Sequence, residues 1–310
     1  MGRVTPTTQQ LHASALRSML RVVHETTEPT DPSVALAAVA EQFRRGDVLV
    51  LTGAGVSTES GIPDYRGPAG SLTRGRPMTY QEFLVDHAAL RRYWARSYVG
   101  WTRMAAARPN RAHYGLVEVE RAGLLAGLIT QNVDGLHHAA GQKRVVALHG
   151  DLATVVCLDC EAKEPRSHLG LRIAEANPGY LQAAIERAGQ VNPDGDIDLP
   201  EDVVADYRMV GCRRCGSVRL KPDVVYFGEP VPRQRKDAMS AMLGAAKAVV
   251  VLGSSLAVMS GFRLVIAAQR TGIPVSVING GPGRADERVD VLWRTNVGDA
   301  VDALLDELEL

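Results

Sequence analysis

The stretch Asp47-Val48-Leu49-Val50-Leu51-Thr52-Gly53-Ala54-Gly55-Val56-Ser57 decides the architecture. Residues 48–51 are a continuous apolar run that stops just short of a glycine. Such runs suit a strand covered on both faces. Runs of the same kind recur at 124–130, 145–148, 248–252 and 274–278, each ending in polar or glycine-rich residues. Helix-like stretches separate several of them. Ahead of the first run, Asp31-Pro32 reads as an N-cap followed by a first helical residue. Leu36, Val39, Ala40 and Phe43 then make one apolar helix face, and Gly46 closes it. Strands alternating with helices predict an α/β fold: a Rossmann-like parallel sheet with helices on both faces. Ligands of such sheets sit outside the carboxyl ends of the strands.

Two segments break the alternation. Residues 68–122 include a helical, aromatic stretch with Tyr93, Trp94, Tyr98 and Trp101. Residues 157–216 hold all four cysteines around a long insert, Asn192-Pro193-Asp194-Gly195-Asp196 among it. Both read as excursions that form a smaller domain, a helical module and a metal module. Residues 31–67, 123–156 and 217–310 then make up a discontinuous parallel-sheet domain. Residues 1–30 read as a polar, partly helical extension. A last helix presents Val301, Leu304, Leu305 and Leu308.

Composition narrows the function classes. The 310 residues are 45% hydrophobic and 23% charged, which excludes disordered, collagenous and coiled-coil chains. Lys plus Arg equals Asp plus Glu at 35 each, so a chain built to neutralise phosphates on nucleic acid is disfavoured. No apolar run reaches membrane-spanning length. The N-terminus lacks an apolar signal core, so a cytoplasmic location is expected. Cys157, Cys160, Cys212 and Cys215 form two Cys-x-x-Cys pairs with none left over. In a reducing compartment that pattern reads as a closed, structural Zn²⁺ site. The 51 residues between Cys160 and Cys212 exceed the usual spacing. A long insert adds little closure entropy.

At the first strand end, Gly53-Ala54-Gly55 would let backbone N–H groups approach a pyrophosphate. A G-x-G alone is equally a plain strand-to-helix turn, and the third glycine of the dinucleotide fingerprint is replaced by Thr58. The following Ser60-Gly61-Ile62-Pro63-Asp64-Tyr65-Arg66-Gly67 is more specific, because a simple surface loop needs neither Asp64 nor Arg66. Here the chain resembles the sirtuins, the NAD-dependent protein deacylases. Residues 53–67 resemble their cofactor-binding loop and 131–137, Gln-Asn-Val-Asp-Gly-Leu-His, their second motif. Leu148-His149-Gly150 resembles the segment with the catalytic histidine, the cysteine pairs the zinc site, and 221–229 the substrate segment. Gly253-Ser254-Ser255 and Asn279 resemble the distal cofactor motifs. The resemblance spans about residues 35–308, in order. Tyr93 to Trp101, Cys157-Leu158-Asp159-Cys160 and Lys221-Pro222-Asp223-Val224-Val225 point to the class II branch.

The resemblance implies NAD as a consumed co-substrate, held by Gly53, Ala54, Gly55, Thr58, Asp64 and Arg66. Ile62, Asn132 and Asp134 would line the nicotinamide pocket, and Tyr65 would cover it. Gln131 would contact ribose, and Gly253, Ser254 and Ser255 phosphate and ribose. Asn279, Gly280, Gly281 and Val297 would hold the adenosine end. Acylated-lysine proteins or peptides would pair with backbone around Val225, Phe227 and Gly228. Their acyl oxygen would attack the ribose carbon as nicotinamide leaves. His149, with Asn132 as the second catalytic residue, would act as general base, a role suited to an imidazole at a strand end. His137 and His138 read as structural, and His12, His24 and His87 as surface residues.

Family members that remove acidic acyl groups carry a Tyr-x-x-Arg pair. Ungapped counting puts Ser97 and Gly100 there, whereas Tyr93 and Arg96 stand four residues early. This argues against succinyl specificity unless a gap intervenes. Residues 61–75 are expected to be mobile without NAD⁺ and to close over the nicotinamide end. Three rivals stand beside the deacylase. A dehydrogenase is disfavoured by Thr58. A zinc-ribbon binding module leaves Asp64, Arg66, Asn132, Asp134 and His149 without a role. A mono-ADP-ribosyltransferase using the same pocket is the runner-up, separable by its products.

Overall fold

The computed structural model describes residues 7–67, 70–73 and 76–310. Six parallel strands form one sheet: β1 (Val48–Thr52), β2 (Leu125–Thr130), β3 (Val145–Ala147), β7 (Ala248–Leu252), β8 (Val275–Ile278) and β9 (Val291–Trp293). Their order across the sheet is β3-β2-β1-β7-β8-β9. Every residue of β1, β2, β7 and β8 is buried. Their side chains divide by the two-residue period of a strand. Val48 and Val50 face one core with Val39, Phe43, Leu116 and Val301, from helices Pro32–Arg44, Arg111–Arg121 and Val297–Leu308. Leu49 and Leu51 face the other with Phe262, Val265 and Leu243, from helices Met259–Arg270 and Arg233–Gly244. Each fully buried aliphatic chain contributes about 1.5–3 kcal/mol of transfer free energy, so both layers hold the sheet.

Asp31 caps its helix as the sequence predicts, accepting from the Ser33 and Val34 N–H groups. The run at 274–278 starts its strand one residue late, at Val275. Pro274 has no N–H to give to a ladder.

A second, antiparallel sheet, β5-β4-β6, is built from β4 (Gly150–Cys157), β5 (Lys163–Pro165) and β6 (Leu220–Val224). Residues 150–156 and 220–224 therefore leave the parallel sheet, although the sequence division groups them with it. Gly150, at φ 90°, turns the chain away directly after His149. A separate core joins both excursions: Phe83, Tyr93, Trp94 and Tyr98 pack with Leu169, Ile173, Tyr180, Ile197 and Cys157.

The N-terminal extension is more ordered than its polarity suggests. Helix Thr8–Met19 starts with a Thr7–Gln10 capping box and buries Ala15 and Met19. His12, expected at the surface, is half-buried with Nδ1 3.0 Å from Thr79 Oγ1.

Candidate functional site

A cleft of about 1510 Å³ opens at the carboxyl ends of the parallel strands. Drug-sized ligand sites measure about 300–1,000 Å³, so this one has room for a dinucleotide and part of a second substrate. Its lining includes the ends of β1, β2, β7 and β8, residues 224–231, and the N-terminal residues 18–23.

After β1 the backbone makes a 3-10 turn over Ala54–Ser60 rather than an α-helix, and Gly61 ends it at φ 81°. Gly53 and Gly55 lie against the loop after β7. A Cβ on Gly53 would come 2.6 Å from the Ser254 Cβ, and one on Gly55 2.8 Å from the Gly253 Cα. Gly55 N donates to Gly253 O at 2.9 Å. The glycines thus let two loops close into one cradle. The Thr58 hydroxyl donates to Gly55 O within the turn.

Ser57 is fully buried at the centre of the next group. Its hydroxyl donates to Asp134 Oδ2 at 2.7 Å, and Asn132 Nδ2 donates to Ser57 Oγ at 3.0 Å. Asp134 also caps the following short helix through the Leu136 N–H. Burial pushes the Asp134 carboxyl up. Ser57 stands within the 53–67 loop, but a small hydroxyl gives no signal in the sequence until its partners are in place. Ile62 packs with Val133, Leu136 and Val224 beside this group.

His149 lines the same cleft. Its Nδ1 lies 2.8 Å from the Gln131 carbonyl, and its Nε2 2.8 Å from Ser260 Oγ. A carbonyl can only accept, so Nδ1 carries the proton and Nε2 presents a lone pair. Burial holds its pKa down to about 4. The neutral imidazole at pH 7 is the form a general base requires. Ser260 likewise gives no signal in the sequence; it opens a helix far along the chain.

Gln131 accepts from the Ser254 hydroxyl at 2.7 Å. Ser255, Gly280, Gly281 and Val297 line the far end of the cleft. Asn279 lines it too, with Nδ2 donating to Gly281 O. Asp64 and Arg66 do not serve as a simple surface ion pair. Asp64 Oδ1 accepts from the Gly67 N–H, and Arg66 Nη2 donates to Met19 O at 2.9 Å. The extension therefore pins the loop. Of the closing loop expected at 61–75, residues 68–69 and 74–75 lie outside the described residues.

The segment after β6 is already partly engaged. Val225 N donates to His149 O, Tyr80 N to Phe227 O, and Tyr226 N to Glu229 Oε2. Gly228 O accepts from Gln81. Fewer main-chain groups are left for an incoming strand than the sequence suggests. Buried Lys221 pairs with Glu229 at 3.0 Å, which fixes this segment from beneath.

The four cysteines converge. Their Sγ atoms lie within 4.8 Å of one another, with Cys157–Cys215 and Cys160–Cys212 each at 3.6 Å. Four ligands at about 2.3 Å around a tetrahedral Zn²⁺ would stand about 3.8 Å apart, so the group fits that ion. Backbone N–H groups of Cys215 and Arg214 draw the Cys212 thiol down, while Cys160 and Cys215, sharing the same corner, are pushed up.

Behind the cleft His137, fully buried, places Nε2 2.9 Å from Thr52 Oγ1. The His113 ring lies tilted against it, with centroids 4.8 Å apart. Burial lowers both, His113 to about 4. With His149, three imidazoles are thus depressed in the fold. Between their folded values and about 6.5 the unfolded chain binds more protons, so stability rises with pH there. The raised carboxyls of Asp134, Asp194 and Asp286 act in the opposite sense, so the histidine effect is read as a difference: from pH 6.5 toward 4 the urea midpoint of the unaltered protein should fall more than that of His113→Asn. Equal falls in the two proteins would refute this burial effect.

No helix among the described residues is long and apolar enough to cross a membrane. A model of the Sir2 family matches residues 53–260. "NAD-dependent protein deacetylase 1" of Corynebacterium efficiens is 62% identical over 90% of this chain and 100% of its own length. "NAD-dependent protein deacylase Sirt4" of Drosophila melanogaster is 40% identical over 84% of this chain and 83% of its own. A solved structure described as "Sir2-p53 peptide-NAD+" superposes with a TM-score of 0.66 at 27% identity, covering 88% of this chain and 98% of that one. With a Sir2-family model matching residues 53–260 and a full-length relative 62% identical over 90% of this chain, the chain belongs to the Sir2 family.

Proposed function

We propose that the protein is an NAD-dependent protein-lysine deacylase, of deacetylase type, working on acylated peptides in the cytoplasm. The neutral, doubly anchored His149 in the lining of a dinucleotide-sized cleft carries the reading. The 62% identity to a protein named a deacetylase supports it. The likeness to Sirt4 supports the class II assignment. The division into a discontinuous NAD-binding domain and a smaller two-module domain is part of the same reading.

Bound NAD⁺ would supply an electrophilic ribose carbon that accepts the acyl oxygen once nicotinamide departs, with the acyl group ending on ADP-ribose. The chain's own residues do the rest. Gly53, Ala54 and Gly55, with Gly253, Ser254 and Ser255, form the cradle for the phosphates. Thr58, Asp64 and Arg66 shape that loop, and Asn279, Gly280, Gly281 and Val297 hold the adenosine end. Gln131 faces ribose. Asn132, Asp134 and Ile62 hold nicotinamide, with Ser57 fixing the first two relative to each other. His149 Nε2 takes a hydroxyl proton once the Ser260 hydroxyl gives way. Val225, Phe227 and Gly228 border the peptide.

Tyr65 stands edge-on to Phe227 with centroids 6.2 Å apart, between cofactor loop and substrate segment. It should shield the reacting carbon from water. Tyr65→Ala is expected to raise the ratio of free ADP-ribose to O-acyl-ADP-ribose several-fold. Chromatography of NAD⁺ products would show it, and an unmoved ratio removes Tyr65 from this role. The same product analysis over acyl-lysine peptides tests the main proposal: ADP-ribose attached to protein as chief product would favour a mono-ADP-ribosyltransferase.

A further inference from the structure

The insert between the cysteine pairs sends a tight turn into the cleft. Val191 and Ile197 bridge at its base. Above them Asn192 N donates to Asp196 O at 2.8 Å, and Asn192 Nδ2 to Asp196 Oδ1 at 2.6 Å. Gly195, at φ 75°, closes the turn through its N–H to Asn192 O. The helix His87–Ala106 clamps it from outside. Arg96 Nε donates to Ile197 O at 2.8 Å, and its guanidinium pairs with Asp196 and Asp198. Gly100 permits the approach, because a Cβ there would lie 2.5 Å from Gly195 O. The Tyr93 and Arg96 pair singled out in the sequence is thus occupied: Arg96 holds the turn and offers no free cation to an acidic acyl group.

The turn delivers Pro193 and Asp194 to the cleft lining. Val191 packs in one cluster with Ile62, Val133, Val224 and Tyr226. Asp194 therefore stands where the nicotinamide wall meets the substrate segment. Its neighbourhood includes the phenols of Tyr65, Tyr93 and Tyr226, all in the lining. Asp194 Oδ1 is shielded from solvent and has no hydrogen-bond partner among the described residues. Such an oxygen on a braced turn is free to hydrogen-bond a ligand that enters the cleft.

We infer that Asp194 sets acyl selectivity, favouring neutral acyl chains with an oxygen toward the far end and disfavouring chains that end in a carboxylate. The inference rests on the deacylase reading. A distal hydroxyl or carbonyl supplies the partner that Oδ1 lacks, and a purely apolar chain leaves it unpaired. Burial and the neighbouring Asp196 hold the Asp194 carboxyl well above the usual range, so its protonated form can donate. A carboxylate-ended chain would bring a charge into this shielded corner beside Asp196 and an uncharged Asp194, with Arg96 already engaged and no cation left to balance it.

Peptides bearing butyryl-, 3-hydroxybutyryl- and succinyl-lysine have acyl chains of equal carbon length and separate these effects. In the unaltered protein 3-hydroxybutyryl should exceed butyryl in kcat/KM, and succinyl should fall about a hundredfold below it. Asp194→Ala should lower the 3-hydroxybutyryl to butyryl ratio about tenfold. The isosteric Asp194→Asn keeps a donor and adds no charge, so it should preserve both the 3-hydroxybutyryl to butyryl and the succinyl to butyryl ratios within about twofold. Peptide binding by calorimetry reports the same ratios without turnover. A 3-hydroxybutyryl to butyryl ratio unchanged within twofold in Asp194→Ala, with acetyl-lysine still processed, overturns the role of Asp194 alone. Peptides that bind with the expected ratios but are never deacylated with NAD⁺ overturn the deacylase reading instead. No binding of any acyl peptide overturns both.

Discussion

His149→Ala should lower kcat/KM for an acetylated peptide by about 10²–10⁴-fold, the usual loss of a general base. The Kd for NAD⁺ should change little, because the imidazole is anchored by the Gln131 carbonyl and the Ser260 hydroxyl and the cradle is built from other loops. The protonation state sets a companion expectation. With the ring held down to about 4, the acid limb of kcat/KM should fall well below the ordinary histidine value of about 6.5. Stopped assays with a quenched peptide readout, at saturating NAD⁺ and across pH 5–8, measure both. Near-normal turnover in the variant would remove His149 from the chemistry. An acid limb at 6.5 would show that the ring is solvated in the working enzyme.

Metal loss should have the second large effect. One Zn²⁺ per chain is expected by elemental analysis. Cys157→Ser or Cys215→Ser should lose it and lower the melting temperature by about 10 °C or more, because binding energy in such sites is partly folding energy. The reason is visible in the core: Cys157 and Cys212 pack with Tyr93, Trp94, Ile173 and Ile197. Loosening the cluster would loosen the turn at 192–196 as well. Activity should fall with the fold rather than through a lost catalytic metal, since four thiolates leave no open position. A metal-free preparation with unchanged melting and turnover would contradict this.

The parallel strands were legible because burial on both faces writes itself as unbroken apolar runs, as in 48–51 and 248–252. The cysteine pairs were legible because their chemistry needs fixed local spacing. His149 stood out once the end of its strand was located. Less visible were Ser57 and Ser260, whose hydroxyls acquire meaning only from Asn132, Asp134 and His149, residues distant in the chain. The departure of β4 from the parallel sheet also escaped notice, since an alternating strand at 150–157 reads alike in either sheet.

By itself, then, the sequence determined the parallel α/β sheet, the four-cysteine cluster and the strand-end positions of Gly53, Asn132, Asp134 and His149. Periodicity, glycine placement and ligand spacing are local properties that survive in one dimension. Only the tertiary structure decided that Arg66 is tied to Met19, that Arg96 is spent on a turn, and that Asp194 enters the cleft unpartnered. Those outcomes depend on which charges meet after segments some 50 to 100 residues apart are brought together. A carboxylate or guanidinium carries no mark of its partner until packing removes the water that would otherwise satisfy it.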